Sequence, residues 1–421
     1  MICRAVVISA PRLASATLAL SFFLGTASAW DPLASPHRGP RVAEASGPGS
    51  YPWSGSADPA LGGAEIALGG SDPTGGATFY ETMDGRAADL AAAFGFEVQE
   101  VYGGLFVATP TPGNGMFDAV LFCNIVNGAD PWTGAEPDFF LRPPEGSQSN
   151  GFVLPSSFGR AQFVRQPALS FVHARTAHRT ASGDGVVVAV LDTGIDRTHS
   201  LFAGRTAEGL DLVDGDDDPS EGVPDGIDQD GDGRADDGFG HGTTVAGLVL
   251  AAAPRATILP VRVLDVEGRG TAGRVAAGIR FATDQGAHVI NLSLGADGFS
   301  LAIHDSIVRA TAMGVIVVAA AGNVRGAPAP DFPANIWGVI AATGNLGVPG
   351  DVWAPASNVA GPYPGELWFR GTGTSFAAGL VSGGVALAEE RRPGITAPSV
   401  VALLAPFRRS TFRLDLARLA Q

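Results

Sequence analysis

The stretch VVVAVLDTG at residues 186–194 decides how the chain is read. Six consecutive apolar residues, Val186–Leu191, run between Gly185 and Asp192, a length and composition that suit a strand buried on both faces of a parallel sheet. Comparable runs occur at Ile258–Leu264, Val289–Leu294, Val315–Ala320 and Val339–Ala342. Helical patterns separate them. Val275, Ala276, Ile279 and Ala282 share one face of a helix that ends at Gly286, and Ile303, Ile307 and Ala310 do the same before Gly314. Buried strands alternating with helices predict an α/β fold with a mostly parallel central sheet flanked by helices. The chain carries no internal repeat.

Open α/β sheets build their sites at the carboxyl ends of the strands, and polar residues gather there. Asp192 follows the first strand directly, and His241, in Gly240-His241-Gly242-Thr243, opens the apolar helical run Val245–Ala253. Asn323 follows the Val315–Ala320 strand, and Ser375, in Gly373-Thr374-Ser375-Phe376, opens another apolar helix. Each suits one task in acyl transfer. A serine hydroxyl needs a neighbouring imidazole to take its proton, and a buried carboxylate fixes the imidazole tautomer. A serine at a helix N-terminus has its own N–H aimed at a developing oxyanion, and an Asn amide can add a second donor. Taken singly, Asp192-Thr193-Gly194 could be a turn or part of an aspartic peptidase, His241 a core histidine, and Ser375 a helix cap. Four such positions at strand ends, in the order Asp, His, Asn, Ser, point to a nucleophilic hydrolase.

From about Gly185 to the C-terminus the chain resembles the subtilisin-like serine proteases. The motifs are Val190-Leu191-Asp192-Thr193-Gly194, His241-Gly242-Thr243-Thr244-Val245-Ala246-Gly247, Asn291-Leu292-Ser293-Leu294-Gly295, Ala321-Gly322-Asn323 and Gly373-Thr374-Ser375. The resemblance implies a triad of Asp192, His241 and Ser375, with Asn323 as oxyanion donor. It also implies that Ser293, Leu294 and Gly295 pair with substrate as an added strand, and that Gly268, Arg269 and Gly270 form the opposite rim. Ala320, Ala321 and Gly322 would line the first specificity pocket and leave room for a large apolar residue before the scissile bond. Residues 77–141 more loosely resemble the family's inhibitory propeptide, with Ala135-Glu136-Pro137-Asp138 like its last strand. The chain departs from the family at Gly379 (usually Pro), Leu380 (often His), Thr244 (often a second His) and His178 (often Trp). His199, His288 and His304 read as structural or solvated.

The 421 residues are 45% hydrophobic and 16% charged, enough for a sizeable core, and 58 Gly with 30 Pro imply many turns. All 27 basic residues are Arg, which excludes a Walker A lysine, a Schiff-base lysine and a Ser-Lys hydrolase. The net charge of −15 has the wrong sign for a nucleic-acid partner. Most of it sits in residues 211–237, which hold eleven Asp, Glu221 and a single Arg, Arg234. Cys3 and Cys123 form no metal-ligand pattern and no disulfide framework in a processed chain.

Arg4 and Arg12, the apolar stretch Leu13–Leu24 and Ala27-Ser28-Ala29 read as a signal peptide over 1–29, too short and too rich in Ser and Thr to span a bilayer. Residues 30–75 read as a flexible linker. Residues 76–142 read as a small α+β ferredoxin-like propeptide domain: a weak opening strand near Phe79, helices at Arg86–Phe94 and Met116–Val126, and strands at Glu97–Tyr102, Leu105–Thr109 and Ala135–Leu141. A second linker over 143–165 leads to the catalytic domain, 166–421.

Asp228-Gln229-Asp230-Gly231-Asp232-Gly233 repeats the first half of an EF-hand loop, although Phe239 falls where the bidentate Glu belongs. Structural calcium (Ca2+) held by Asp228, Asp230, Asp232 and Asp236 is the expectation, with a solvated acidic loop as the alternative. The sequence therefore points to a secreted (extracellular or periplasmic) serine endopeptidase acting through an acyl-enzyme. It would be made as a zymogen that cuts itself within about 142–175. Its partners would be protein or peptide substrates and its own propeptide, with no nucleic acid and no membrane after signal cleavage, and it would act as a monomer. Two rivals remain: a non-catalytic, calcium-stabilised subtilisin-fold scaffold, for which Gly379 is the only local feature, and a glycosidase using the acidic loop, whose activity Ser375→Ala would spare.

Overall fold

The computed structural model describes residues 4–9, 73–80, 96–103, 105–110, 123, 133–144 and 151–421, except 230, 232, 297, 345–346 and 409–410. One compact unit comprises Met1–Ala10 and Leu68–Gln421, and a second, Pro11–Ala67, lies outside the described residues. The helix read at Arg86–Phe94 also lies outside them, and of Met116–Val126 only Cys123, helical and buried, is described.

In chain order the strands are β1 (Arg4–Ser9), β2 (Pro73–Tyr80), β3 (Phe96–Tyr102), β4 (Leu105–Pro110), β5 (Thr133–Leu141), β6 (Phe152–Val153), β7 (Val187–Asp192), β8 (Leu210–Asp211) and β9 (Thr257–Arg262). They continue with β10 (Gly270–Thr271), β11 (Val289–Leu292), β12 (Ile316–Ala320), β13 (Ile340–Thr343), β14 (Val352–Trp353), β15 (Val359–Tyr363), β16 (Leu367–Gly371), β17 (Ala405–Arg408) and β18 (Thr411–Arg413). Four longer helices are α1 (His241–Ala252), α2 (Ala272–Asp284), α3 (Leu301–Ala312) and α4 (Thr374–Arg391).

The main sheet has the order β17-β18-β14-β13-β12-β11-β7-β9-β8. Every neighbouring pair is parallel except β17–β18 at one edge. The expected fold class therefore holds. Strand β7 lies between β11 and β9, so successive connections leave it in opposite directions, and a crevice opens beyond its carboxyl end. Asp192 is the last residue of β7.

Alternate residues of β7 feed two cores, as the strand's two-residue period requires. Val188 and Val190 pack with α1 and α4, while Ala189 and Leu191 pack with α2 and α3. Full burial of side chains such as Leu191 and Ile258 contributes about 1.5–3 kcal/mol each. The first core already draws on Phe163, in the helical turn Arg160–Phe163 just ahead of residue 166.

Helices α1 and α4 lie against one another at van der Waals contact because glycines line the crossing. A Cβ at Gly383 would sit 2.5 Å from the Ala252 Cβ and 2.6 Å from the Val249 carbonyl oxygen, and one at Gly379 would sit 2.9 Å from the Val245 carbonyl oxygen. Gly379, which breaks the resemblance to the family, thus has a packing reason, and α4 runs through it without interruption.

A second sheet, of six strands, has the order β10-β5-β1-β2-β4-β3. Strand β1, inside the stretch read as a signal peptide, pairs with β2 and β5, which also meet each other at Pro73 and Phe139. Strand β5 continues onto the main body, pairing Phe140 with Thr271 and Leu141 with Gly270. Its acids reach the starts of two helices. Asp138 Oδ1 accepts from the Gly273 N–H of α2 at 2.9 Å, and Glu136 Oε1 accepts from the Ala302 N–H of α3 at 3.1 Å. A third sheet, β15-β16-β6, is antiparallel. Among the described residues no helix is long and apolar enough to cross a membrane.

Since the α1–α4 crossing has no room for a methyl group, Gly383→Ala is expected to lower the unfolding free energy by about 1–3 kcal/mol. Denaturant unfolding against the unsubstituted protein measures this.

Candidate active site

Asp192, His241, Asn323 and Ser375 occupy the ends of β7, the first turn of α1, the turn after β12 and the first turn of α4. Asp192 is buried, and its Oδ1 lies 2.7 Å from the Nδ1 of His241, whose side chain is 10% exposed. The same carboxylate oxygen accepts from the Thr193 N–H at 2.8 Å. The contact to Asp192 holds the imidazole with Nδ1 inward, so any proton the ring takes from a nucleophile must go to Nε2.

Ser375 is the second residue of α4, so its N–H belongs to the turn that lacks intrahelical acceptors. Its hydroxyl donates to the Ser293 carbonyl at 3.3 Å, and the Ser293 hydroxyl donates to the Ser375 carbonyl at 3.2 Å. Asn291 Nδ2 donates to Ser293 Oγ, and Ser382 Oγ donates to Asn291 Oδ1, both at 2.9 Å. The segment 291–295 is thereby fastened to α4. Phe376, the residue after Ser375, has its ring centroid 6.3 Å from that of His241, which puts the starts of α1 and α4 side by side.

Asn323 Oδ1 accepts from the Thr374 N–H at 2.9 Å and from its hydroxyl at 3.1 Å. With the oxygen occupied, Nδ2 is the end of the amide left to act as a donor. Gly322 precedes it with a φ of +99°, and a Cβ there would run into the Asp331 carboxylate, so glycine alone fits this turn. Ala320 and Ala321 are fully buried at the end of β12.

The two segments read as rims of a groove face one strand. Gly295 exchanges two backbone hydrogen bonds with Arg142, of 3.0 and 2.7 Å, while Gly270 belongs to β10 and pairs with Leu141. Gly268 has a φ of +72°, and a Cβ there would lie 3.1 Å from Pro143 Cδ. The Arg269 guanidinium sits 5.1 Å from the Phe140 ring centroid. Leu294 is buried in the core. Residues 140–143 thus lie between both rims as an added strand.

The acidic loop reads differently. Asp230 and Asp232 lie outside the described residues. Asp228 accepts from the Gly231 and Gly233 N–H groups at 2.7 and 2.9 Å, and Asp236 from those of Asp225 and Gly226 at 3.0 and 2.8 Å. These carboxylates fold the loop on itself, and among the described residues no group of three or more His, Cys, Asp or Glu is arranged to hold a metal ion.

Three of the other histidines have structural partners. His199 is fully buried, with Nδ1 accepting from the Leu201 N–H and Nε2 near the Leu367 carbonyl. His288 Nδ1 accepts from the Val187 N–H, and His178 Nε2 lies 2.9 Å from the Ala252 carbonyl. Thr244, where a second histidine is frequent, donates to the Pro362 carbonyl at 2.8 Å. Glu221 had no place in the sequence reading, yet its carboxylate touches both Thr193 and the first turn of α1. One acid among eleven Asp gave no signal.

A carboxylate–imidazole pair and a serine at a helix start, set at the carboxyl edge of a parallel sheet beside a groove that takes extended backbone, define a serine peptidase of the parallel-sheet type. Residues 183–406 match the profile of the subtilase family, and the chain belongs to that family. Subtilisin BL of Lederbergia lenta is 37% identical over 246 residues, covering 53% of this chain and 84% of that protein. Thermitase of Thermoactinomyces vulgaris is 36% identical over 240 residues, covering 52% and 80%. Among solved structures, fervidolysin from Fervidobacterium pennivorans, a keratinolytic enzyme related to subtilisin, superposes with a TM-score of 0.66. At 23% identity, over 83% of this chain and 61% of that one, it shows the fold alone. The protein is a subtilisin-like serine endopeptidase.

Because Thr374 holds Asn323 through Oδ1 and leaves the Nδ2 amide to donate, Asn323→Ala is expected to lower kcat about 100- to 1,000-fold with little change in KM, the loss known for such a donor in a subtilisin. Steady-state kinetics on a peptide substrate measures it.

Proposed function

We propose that the chain is a secreted zymogen whose peptidase acts through Asp192, His241 and Ser375. The observation that carries this reading is the 2.7 Å contact between Asp192 Oδ1 and His241 Nδ1, set beside the helix start that bears Ser375. His241 Nε2 takes the Ser375 proton as Oγ attacks the peptide carbonyl, and Asp192 steadies the imidazolium. The Ser375 N–H and Asn323 Nδ2 receive the oxyanion. His241 returns the proton to the leaving amine, and water then hydrolyses the acyl-enzyme. Ala320, Ala321 and Gly322 offer little bulk, so large apolar residues should be preferred before the scissile bond. A peptide-library profile dominated by basic residues at that position would refute this.

Self-processing is supported by the strand at residues 140–143, which takes the place of a substrate. Arg142 pairs with Gly295. Two residues on along antiparallel strands, Pro144 comes opposite Ser293, whose carbonyl meets the Ser375 hydroxyl. On this reading the scissile bond is the one after Pro144. Proline has no N–H to give Ser293, which makes this a slow substrate. Intact mass of the secreted protein is expected to show a cut at 144/145, lost in Ser375→Ala together with fluorophosphonate labelling. A Ser375→Ala protein cut at the same bond would mean that another protease makes the cut. Secretion itself rests on the N-terminal pattern, and cleavage after Ala29 would remove β1.

Calcium in the loop 225–237 rests on the sequence register alone. On that reading a chelator lowers the thermal midpoint and added Ca2+ restores it. An unchanged midpoint leaves an ordinary solvated loop.

A further inference from the structure

Helix α1 begins without a side-chain cap of its own. Its N-cap is Gly240, at φ +79°, so the first amides of the helix that carries His241 need an acceptor from elsewhere. Glu221 supplies it from a loop twenty residues upstream. One carboxylate oxygen accepts from the Thr243 N–H at 2.9 Å and the Thr243 hydroxyl at 2.7 Å. The other accepts from the Gly240 N–H at 3.1 Å and the Thr193 hydroxyl at 2.9 Å. Thr193 Oγ1 in turn accepts from the Gly242 N–H at 3.0 Å, and the Thr193 N–H bonds Asp192. Thr243 Oγ1 accepts from the Asp196 N–H. A single carboxylate therefore bridges the residue after Asp192 and the residues on either side of His241.

We propose that Glu221 is a positioning residue for the peptidase reaction, holding the strand end of Asp192 and the helix start of His241 in one fixed relation. The proposal rests on the reading of Asp192 and His241 given above. Glu221 touches no reacting atom. Its four acceptor contacts require the ionised form, because a protonated carboxyl oxygen would present an O–H to donors.

The titratable groups around it come from four directions. Asp192 on β7 repels its charge, and burial pushes the Glu221 carboxyl up to about 7 in spite of the hydrogen bonds. His241 stands on α1. Tyr363, at the end of β15, packs on Gly240, and its phenol is raised by burial, by Glu221 and by Asp236. The Arg262 guanidinium passes beside Gly222 but is paired with Asp211 and Asp214. Falling pH would thus protonate Glu221, which then releases the two segments it bridges.

The test is the pH profile of kcat/KM of the processed enzyme, taken with Glu221→Gln and Glu221→Asp. Glu221→Gln keeps the Thr243 acceptor but turns an NH2 toward Gly240. It should fold and lose about tenfold in kcat with KM within about twofold. The advantage of the unsubstituted enzyme over Glu221→Gln should narrow as pH falls and Glu221 takes up its proton. Glu221→Asp keeps a titrating carboxylate and regains only part of kcat, because it is one methylene too short to bridge both segments. Unchanged kcat in Glu221→Gln, or an advantage that stays constant down the acid side, would overturn the proposal. Should Glu221→Gln fail to fold, Glu221→Asp decides: a kcat equal to that of the unsubstituted enzyme would overturn the proposal. Activity that survives Ser375→Ala would instead overturn the reading of the site itself.

Discussion

The close approach of α1 and α4 is the constraint on which the site depends. His241 and Ser375 lie far apart in the chain, and each opens a helix on the same face of the sheet. Where the helices touch therefore fixes where their first residues stand. Contact occurs through backbone at Gly379 and Gly383, with no flexible side chain between. Interiors packed at this density pass displacements on instead of absorbing them, and a shift of about 1 Å in a reacting group can cost on the order of a hundredfold in rate. The departure from the family at Gly379 belongs to this contact.

The helix starts around the site share a second property. Each finds acceptors for its first amides in residues remote in sequence: Glu221 for α1, Asp138 for α2, Glu136 for α3 and Asn323 for α4. Only α2 and α3 add a local cap, Thr271 and Ser300. A helix whose first turn faces a reactive group has little space for a capping side chain there, since that side chain would compete for the same volume. Acceptors brought from other elements leave the turn clear and tie those elements to it.

This division explains what could be read in the residues alone. The strands at 186–191, 289–294 and 315–320 were legible because burial on both faces writes continuous apolar runs, and the four motifs because glycines and small residues surround each polar one. Glu221 was not legible, since its partners lie up to 28 residues away and its neighbours in sequence are acids that fold a loop. The hairpin of β15 and β16 was hidden for another reason: Gly361 and Pro362 interrupt β15, and Leu367, Trp368 and Phe369 run together in β16, so neither shows a two-residue period. Phe140 and Leu141 end the strand expected at 135–141, whereas the continuation past it reads as linker from 143 because Arg142, Pro143 and Pro144 carry no pattern of their own, and only the rims at Gly270 and Gly295 give them one.

A strand that lies between those rims while joined to the same chain competes with every other peptide at millimolar effective concentration. Free substrates at micromolar levels would be displaced from the groove for as long as the join persists. Cutting that join would turn a first-order contest into a second-order one, and dilution would then favour the substrate. On the zymogen reading proposed above, the covalent link would act as a clock whose setting depends on volume, in a crowded compartment or in open medium, as well as on chemistry.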